Sequence, residues 1–329
     1  MEQGDRKALR ADQSVVSTAF RYFAAVAEKS SIRAAARILN VAPSAINRQI
    51  LIIERTLGIE LFERVGRPLR LSEAGAILLQ TVRSFERSYE DSLSAIDALR
   101  GLQRGKIRIA TVESISVTLL PDFLASFASQ YPGIELAVTV AGSQAVAGLV
   151  RAGEVDLGFT FNPGSLEGLL TVYERDLPIA ALVSPSHPLA KRRRVSLTDC
   201  LRYPIALPSA GLSLRAILDT ALTRMSPPPR ATFEANSLRF MSALARRGRC
   251  IAFQTTMGIE QELAAKTLVL VSLSDPLLPV DRFTIVRPLG RKPTLASAAL
   301  LKQMIGSLET PTGRKTRPGY RSNNANTRY

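Results

Sequence analysis

"NVAPSAINRQI", residues 40–50, is a turn that runs into a helix. Pro43 suits the first helical turn, where its missing N–H costs nothing. Ile46 and Ile50 lie one turn apart, and Ile53 and Leu57 continue that spacing as a buried side until Gly58 stops the helix. Pro43, Ser44, Asn47 and Arg48 share another face. That face either reads a polymer such as DNA or is the solvated side of an ordinary amphipathic helix. The stretch alone does not choose.

Its neighbours narrow the choice. Upstream, "VSTAFRYFAAVAEKS" is helical, with Phe20, Phe23, Ala24 and Ala27 on one face. "SSIRAAARILN" reads as a short second helix whose alanines admit close packing, with Asn40 at its C-terminal turn. Downstream, "GIELFERVGRPLRLSEAG" places two short apolar pieces about the turn "VGRPL", as in a small hairpin or wing. Arg64, Arg67 and Arg70 cluster there. A long helix is then expected from Ser72 to about Gln103. Val82, Phe85, Tyr89, Leu93, Ile96 and Leu99 form a narrow seam along it, of the kind that pairs with a second copy.

From "RGKIRIATV" the period changes. The segments "KIRIATV", "LLPDFLASFASQYPG", "IELAVTV", "SQAVAGLVRAGE" and "VDLGFTF" read as a βαβαβ unit with a parallel sheet. "LPIAALVS" is a further strand, and "YPIALP" to "CIAFQ" a second α/β set. The strands "TLVLVSL" and "DRFTIVRP" and a closing helix follow. Two such lobes enclose a cleft, and small ligands bind where strand ends and helix N-termini converge.

Composition sets outer bounds. The chain has 329 residues, 46% of them hydrophobic, and a formal net charge of +15. This favours anionic partners. The charge is spread, with 16 basic and 12 acidic residues in 1–104, and 22 and 16 in 105–309. Arrangement, not net charge, has to locate a nucleic-acid site. Cys200 and Cys250 are too few for a disulfide framework or a zinc site, so no metal is expected. No signal peptide is recognisable, and no apolar run reaches the roughly 18 residues of a spanning helix. A cytoplasmic protein without membrane contact is the expectation.

Together, "FRYFAAVAEKSSI", "AAARILNVAPSAINRQI", Glu54 followed by "LGIELFER", and "RPLRLSEAG" resemble the winged helix-turn-helix of LysR-type transcriptional regulators. The resemblance continues through "LLPDFLASFASQYPGIELAV", "LVRAGEVDLGF" and "SPSHPLA", and covers about residues 18–308. It implies an α/β chain with a helix-rich N-terminal winged helix-turn-helix. A long linker helix would join this to a two-lobed effector domain like a type 2 periplasmic binding protein. The expected division is an arm (1–16), the DNA-binding domain (17–75), the linker helix (72–104), the effector domain (105–309) and a basic tail (310–329). Lobe I takes about 105–175 and 267–309, and lobe II about 176–266. The resemblance further implies double-stranded promoter DNA, RNA polymerase, a small organic effector and further copies of the chain, as a dimer of dimers, as partners. No cofactor is implied.

In such a motif the second helix enters the major groove, which gives Pro43, Ser44, Asn47 and Arg48 the base-reading positions. Arg33 is placed for a phosphate, and Arg64 and Arg67 for phosphates or the minor groove. Ala42-Pro43 stands where the family commonly has Ser-Gln, so a cap and one base-reading amide are missing. Leu51 and Ile52 replace residues that are usually polar or basic and shorten the polar face. The effector positions are Ser114, Ser143, Thr160, Phe161, Pro208, Ser209, Asn236 and Gln254. Each serine alternatively serves as a helix cap. Glu113 would repel an anion, so it either meets an effector amine or points away.

Other functions fit less well. An enzyme would need a partner for His187, the single histidine, in "SPSHPLA". A solute-binding protein would leave the N-terminal helices unexplained. A redox sensor would need exposed thiolates at Cys200 or Cys250. "KRRR" at 191–194 reads as a solvated surface loop.

Overall fold

The computed structural model describes residues 17–63, 68–99, 105–225, 229–275, 278 and 280–309. The arm, the basic tail, the end of the expected linker helix and the wing residues Arg64 and Arg67 lie outside the described residues. Among the described residues, no helix is long and apolar enough to cross a membrane.

Three helices open the chain: α1 (Thr18–Lys29), α2 (Ile32–Leu39) and α3 (Pro43–Leu57). Ser17 and Ser31 cap the first two with their hydroxyls. Ser30, Asn40 and Gly58 end the three helices in left-handed conformation, so each cap also turns the chain. The shared core holds Tyr22, Phe23 and Val26 of α1, Ala35 and Ala36 of α2, and Ile46, Ile50 and Ile53 of α3. The buried face of α1 thus centres on Tyr22, Phe23 and Val26, with Phe20, Ala24 and Ala27 only partly covered. Leu57 departs from the expected buried side: it is exposed, because its turn has already run past the core.

Among the described residues of the expected wing, Phe62 and Leu71 form an antiparallel bridge. α4 (Glu73–Leu99) follows directly. A Cβ on Gly75 would fall 2.0 Å from the Leu61 carbonyl oxygen, so only glycine lets α4 start against the wing. The Ser72 hydroxyl accepts from the Gly75 N–H (3.0 Å) and donates to the Glu60 carbonyl (2.7 Å). The expected seam divides. Val82 is buried in the three-helix core, while Phe85 and Ile96 are exposed.

Among the described residues, the remainder holds two main sheets and one two-stranded sheet. The first has the strand order β2-β1-β3-β11-β4. Its strands are β1 (Gly105–Thr111), β2 (Ile134–Val140), β3 (Leu157–Phe161), β4 (Leu169–Leu177) and β11 (Asp281–Pro288). β1 is parallel to β2 and β3, and β11 is antiparallel to β3 and β4. The helices α5 (Glu113–Ser116), α6 (Leu119–Gln130) and α7 (Ser143–Arg151) accompany it, and the C-terminal helix adds Leu300 and Met304 to the same core.

The second sheet has the order β6-β10-β5-β9. These strands are β5 (Ala180–Val183), β6 (Arg194–Val195), β9 (Ala252–Gln254) and β10 (Val269–Leu273). The parallel pair β7 (Ala206–Pro208) and β8 (Phe233–Ala235) joins it through an Ile205–Ile251 bridge. Its helices include α8 (Leu197–Cys200), α9 (Ser213–Leu222), α10 (Leu238–Arg246) and α11 (Glu260–Ala264), and α12 (Leu295–Glu309) closes the chain. One expectation is corrected here. Val269–Leu273, within the stretch assigned to lobe I, form β10 in the second sheet, paired with β5 and β6. The return crossing therefore comes after Leu273.

α4 touches the first sheet's layer at the end of α7. Arg83 pairs with Glu154 at 2.9 Å and with Glu28 of α1 at 3.8 Å. The buried Arg87 donates to the Ala152 carbonyl at 3.2 Å.

Candidate functional site

Two places gather polar groups with unspent bonding capacity. The first is the outer face of α3. Its start at Pro43 has no side-chain cap, because Ala42 cannot supply one. First-turn N–H groups are therefore left for an outside acceptor. Pro43, Ser44, Asn47 and Arg48 are all exposed, and no described residue hydrogen-bonds the last three side chains. Arg33 is exposed on α2. Leu51 and Ile52 stand 42% and 43% exposed, so apolar surface follows the polar row toward the C-terminus. Glu54 holds the far end of the helix: its Oε1 accepts from the Leu61 N–H at 2.8 Å, tying α3 to the wing. A flat polar row on a helix held from behind by three isoleucines can enter a groove without rearranging.

The second place is a cavity of about 340 Å³ between the two sheets. From the first side come the loop after β1 (Val112–Ser114), the loop after β2 (Val140–Ser143), Phe161 and Asp281. From the second come the starts of α9 and α10 and the loop after β9. The parallel strands β1 to β3 thus deliver their carboxyl ends to it, where such sheets collect ligands.

Five of the eight expected effector residues line this cavity: Ser114, Ser143, Phe161, Asn236 and Gln254. Ser114 and Ser143 are buried, and neither hydroxyl has a partner among the described residues. Gln254 is already committed, accepting from the Ser242 hydroxyl (2.9 Å) and donating to the Met257 carbonyl (3.1 Å). Thr160, Pro208 and Ser209 do not line it. Alternation along β3 sends Thr160 to the other face, where its hydroxyl donates to the Ser143 carbonyl at 3.3 Å. The Pro208 carbonyl accepts from Arg215, and the Ser209 N–H extends the β7–β8 pairing to Ala235.

Glu113 lines the cavity, but its carboxylate is committed to the other lobe. Its two oxygens accept from the Ser237 hydroxyl and the Leu238 N–H, both at 2.8 Å, so it caps α10 from the other lobe. Asp281 was missed, since nothing in "VDRF" separates it from any strand-start acid. It is 5% exposed and accepts from the Asn162 amide at 2.6 Å, and burial pushes its carboxyl up to about 7. Gly258 shapes the same wall. It sits at φ +86°, and a Cβ there would meet the Ser114 backbone at 2.8 Å.

Other singled-out residues have local duties. The His187 ring accepts from the Leu189 N–H at 3.2 Å and packs edge-on against Tyr203. Cys200 and Cys250 are buried, and burial pushes their thiols up to about 12 and about 11, which keeps them protonated. Residues 191–194 are exposed, with Arg194 on the edge strand β6.

Two family profiles match the chain. The family profile described as "Bacterial regulatory helix-turn-helix protein, lysR family" matches residues 17–76, and "LysR substrate binding domain" matches residues 100–308. A "Probable RuBisCO transcriptional regulator" of Synechocystis sp. is 27% identical over 88% of this chain and 86% of its own length. The "HTH-type transcriptional regulator CbbR" of Rhodospirillum rubrum is 28% identical over 80% of this chain and 88% of its own. Among solved structures, full-length CbnR in complex with its target DNA shares the fold. Its TM-score is 0.60 at 20% identity, over 88% of this chain and 98% of that one.

Proposed function

This chain belongs to the LysR family of transcriptional regulators, and from that premise we propose which of its residues read DNA and which meet the effector. It is a DNA-binding regulator with an effector-binding domain, not an enzyme. Residues 17–75 serve as the reading head. Ser44, Asn47 and Arg48 take base edges, Pro43 gives an apolar contact, and Arg33, Arg64 and Arg67 take phosphates or the minor groove. Asn bridges adenine N6 and N7, and Arg forks onto guanine O6 and N7. The observation that carries this is the uncommitted polar row of α3, backed by buried Ile46, Ile50 and Ile53.

A small organic effector occupies the cavity between the lobes of residues 105–309, against Ser114, Ser143, Phe161 and Asn236. Exposed Phe85 and Ile96 on α4 support pairing of two chains through that helix, and two such dimers give the family's tetramer. Effector binding shifts the balance between assembly states by its differential affinity for them, and so alters DNA bending and contact with RNA polymerase. Such a protein works in the cytoplasm, where the promoter is.

The test is quantitative footprinting on the upstream region of the chain's own gene. Asn47→Ala and Arg48→Ala each weaken binding by about 1–3 kcal/mol, roughly 5- to 150-fold, and relax preference at one position. Unchanged affinity and unchanged preference in both variants would remove α3 as the reader.

A further inference from the structure

The chemistry of the cavity wall constrains the ligand. Two carboxylates, Glu113 and Asp281, line it, and among the described lining residues there is no Lys, Arg or His. Glu113 is spent on the start of α10. Asp281 is spent only in part. One oxygen accepts from Asn162, and the other has no hydrogen-bond partner among the described residues. The nearby guanidinium of Arg282 does not neutralise it, being drawn to Asp176 at 2.7 Å.

The position of Asp281 is built. Asn162 lies at φ +39°, in the left-handed region. Its amide nitrogen donates to Asp281, and its amide oxygen accepts from the Arg282 N–H at 3.2 Å. Both ends of this amide pin the start of β11 to the end of β3. A buried carboxylate held this way on a cavity wall, with one oxygen unpartnered among the described residues, is costly in its charged form unless a cation meets it.

We propose that the effector is an amine, and that it binds with its ammonium group against the free oxygen of Asp281. This rests on the interlobe cavity being the effector site. The starts of α7 and α9 also line the cavity, and Gly142 and Leu212 leave both without side-chain caps. Their N–H groups serve an oxygen acceptor elsewhere on the same molecule. The class is therefore a small polar amine, such as an amino acid or amino alcohol, and not a dianion.

Four-carbon probes of equal length test this on the full chain: butane-1,4-diamine, 4-aminobutanoate, butane-1,4-diol and succinate. The readout is the melting temperature. The two amines are expected to raise it by about 3 °C at ten times their Kd, and the diol and succinate are not. Asp281→Asn keeps an acceptor for Asn162, so its own melt reports folding, and it is expected to lose the amine response at least tenfold in Kd. Ser143→Leu narrows the cavity and separates the two levels of the reading. Stabilisation by succinate that Ser143→Leu abolishes overturns the amine class and leaves the cavity standing. An amine response that survives both substitutions overturns the class and the cavity together. Absence of any amine response in the unsubstituted chain overturns the class.

Discussion

The outer face of α3 and the cavity between the lobes both present polar groups, but in opposite states. On α3 they are exposed and unpaired, written within five consecutive positions from Ser44 to Arg48. In the cavity several are buried, some of them paired (Gln254) and some not (Ser114, Ser143), and they come from segments as far apart as Val112 and Asp281. A face that meets a polymer costs the fold little, because water pays for it until DNA arrives. A cavity wall must be solved as part of the core, so every polar group there carries a stability cost.

This contrast can be broken by measuring stability. The largest effect is expected at Asp281. Burial holds its carboxyl at about 7, above the ordinary value of 3.8, so the fold favours its protonated form. The contribution is fully present below about pH 4 and is lost as pH rises through about 7. Between pH 5 and pH 8 the chain should lose about 2–3 kcal/mol at this site. Asp281→Asn should not show that loss, and at pH 8 should exceed the parent by up to about 4 kcal/mol. Parallel urea titrations at both pH values check it, and identical pH dependence of the two proteins would contradict the burial argument.

Gly258→Val should cost about 3 kcal/mol, since a branched side chain at φ +86° would also strike the Ser114 backbone. A small change in the unfolding midpoint would mean that this wall yields. Glu113→Ala should cost about 2 kcal/mol, because it strips the start of α10 of a charge-assisted acceptor. It should also speed proteolysis at the crossings between lobes, whereas equal digestion rates would show that the lobes do not depend on it. The smallest effect belongs to the head. Ser44→Ala and Asn47→Ala should leave stability within about 0.5 kcal/mol, and a larger loss would place these side chains in the fold rather than on its surface.

The same contrast explains what was legible. Helical spacing alone located Ile46, Ile50, Ile53 and the polar row, because all of that lies within one element. It failed at Leu57, since periodicity cannot tell where the partner surface ends. Strand alternation was enough to find β1, β2 and β3, but not to separate Thr160 from Phe161, neighbours on opposite faces of β3. Glu113 left two options open until Ser237 appeared beside it, 124 positions away. Asp281 had no local mark at all. β10 was misassigned because a strand's text does not name its sheet.

One helix has two audiences. α7 begins at Ser143 on the cavity wall, and the carbonyl just past its end, on Ala152, is gripped by Arg87 of α4. Its nine residues span about 13 Å. An α-helix of that length behaves as a strut. A molecule that shoves its near end along the axis moves its far end by nearly as much, with little lost on the way. The sidechain waiting there is a buried guanidinium, which cannot simply drift into water to absorb the blow. Under the function proposed above, pressure on the ligand side would register as torque on α4, the helix that follows the three-helix head.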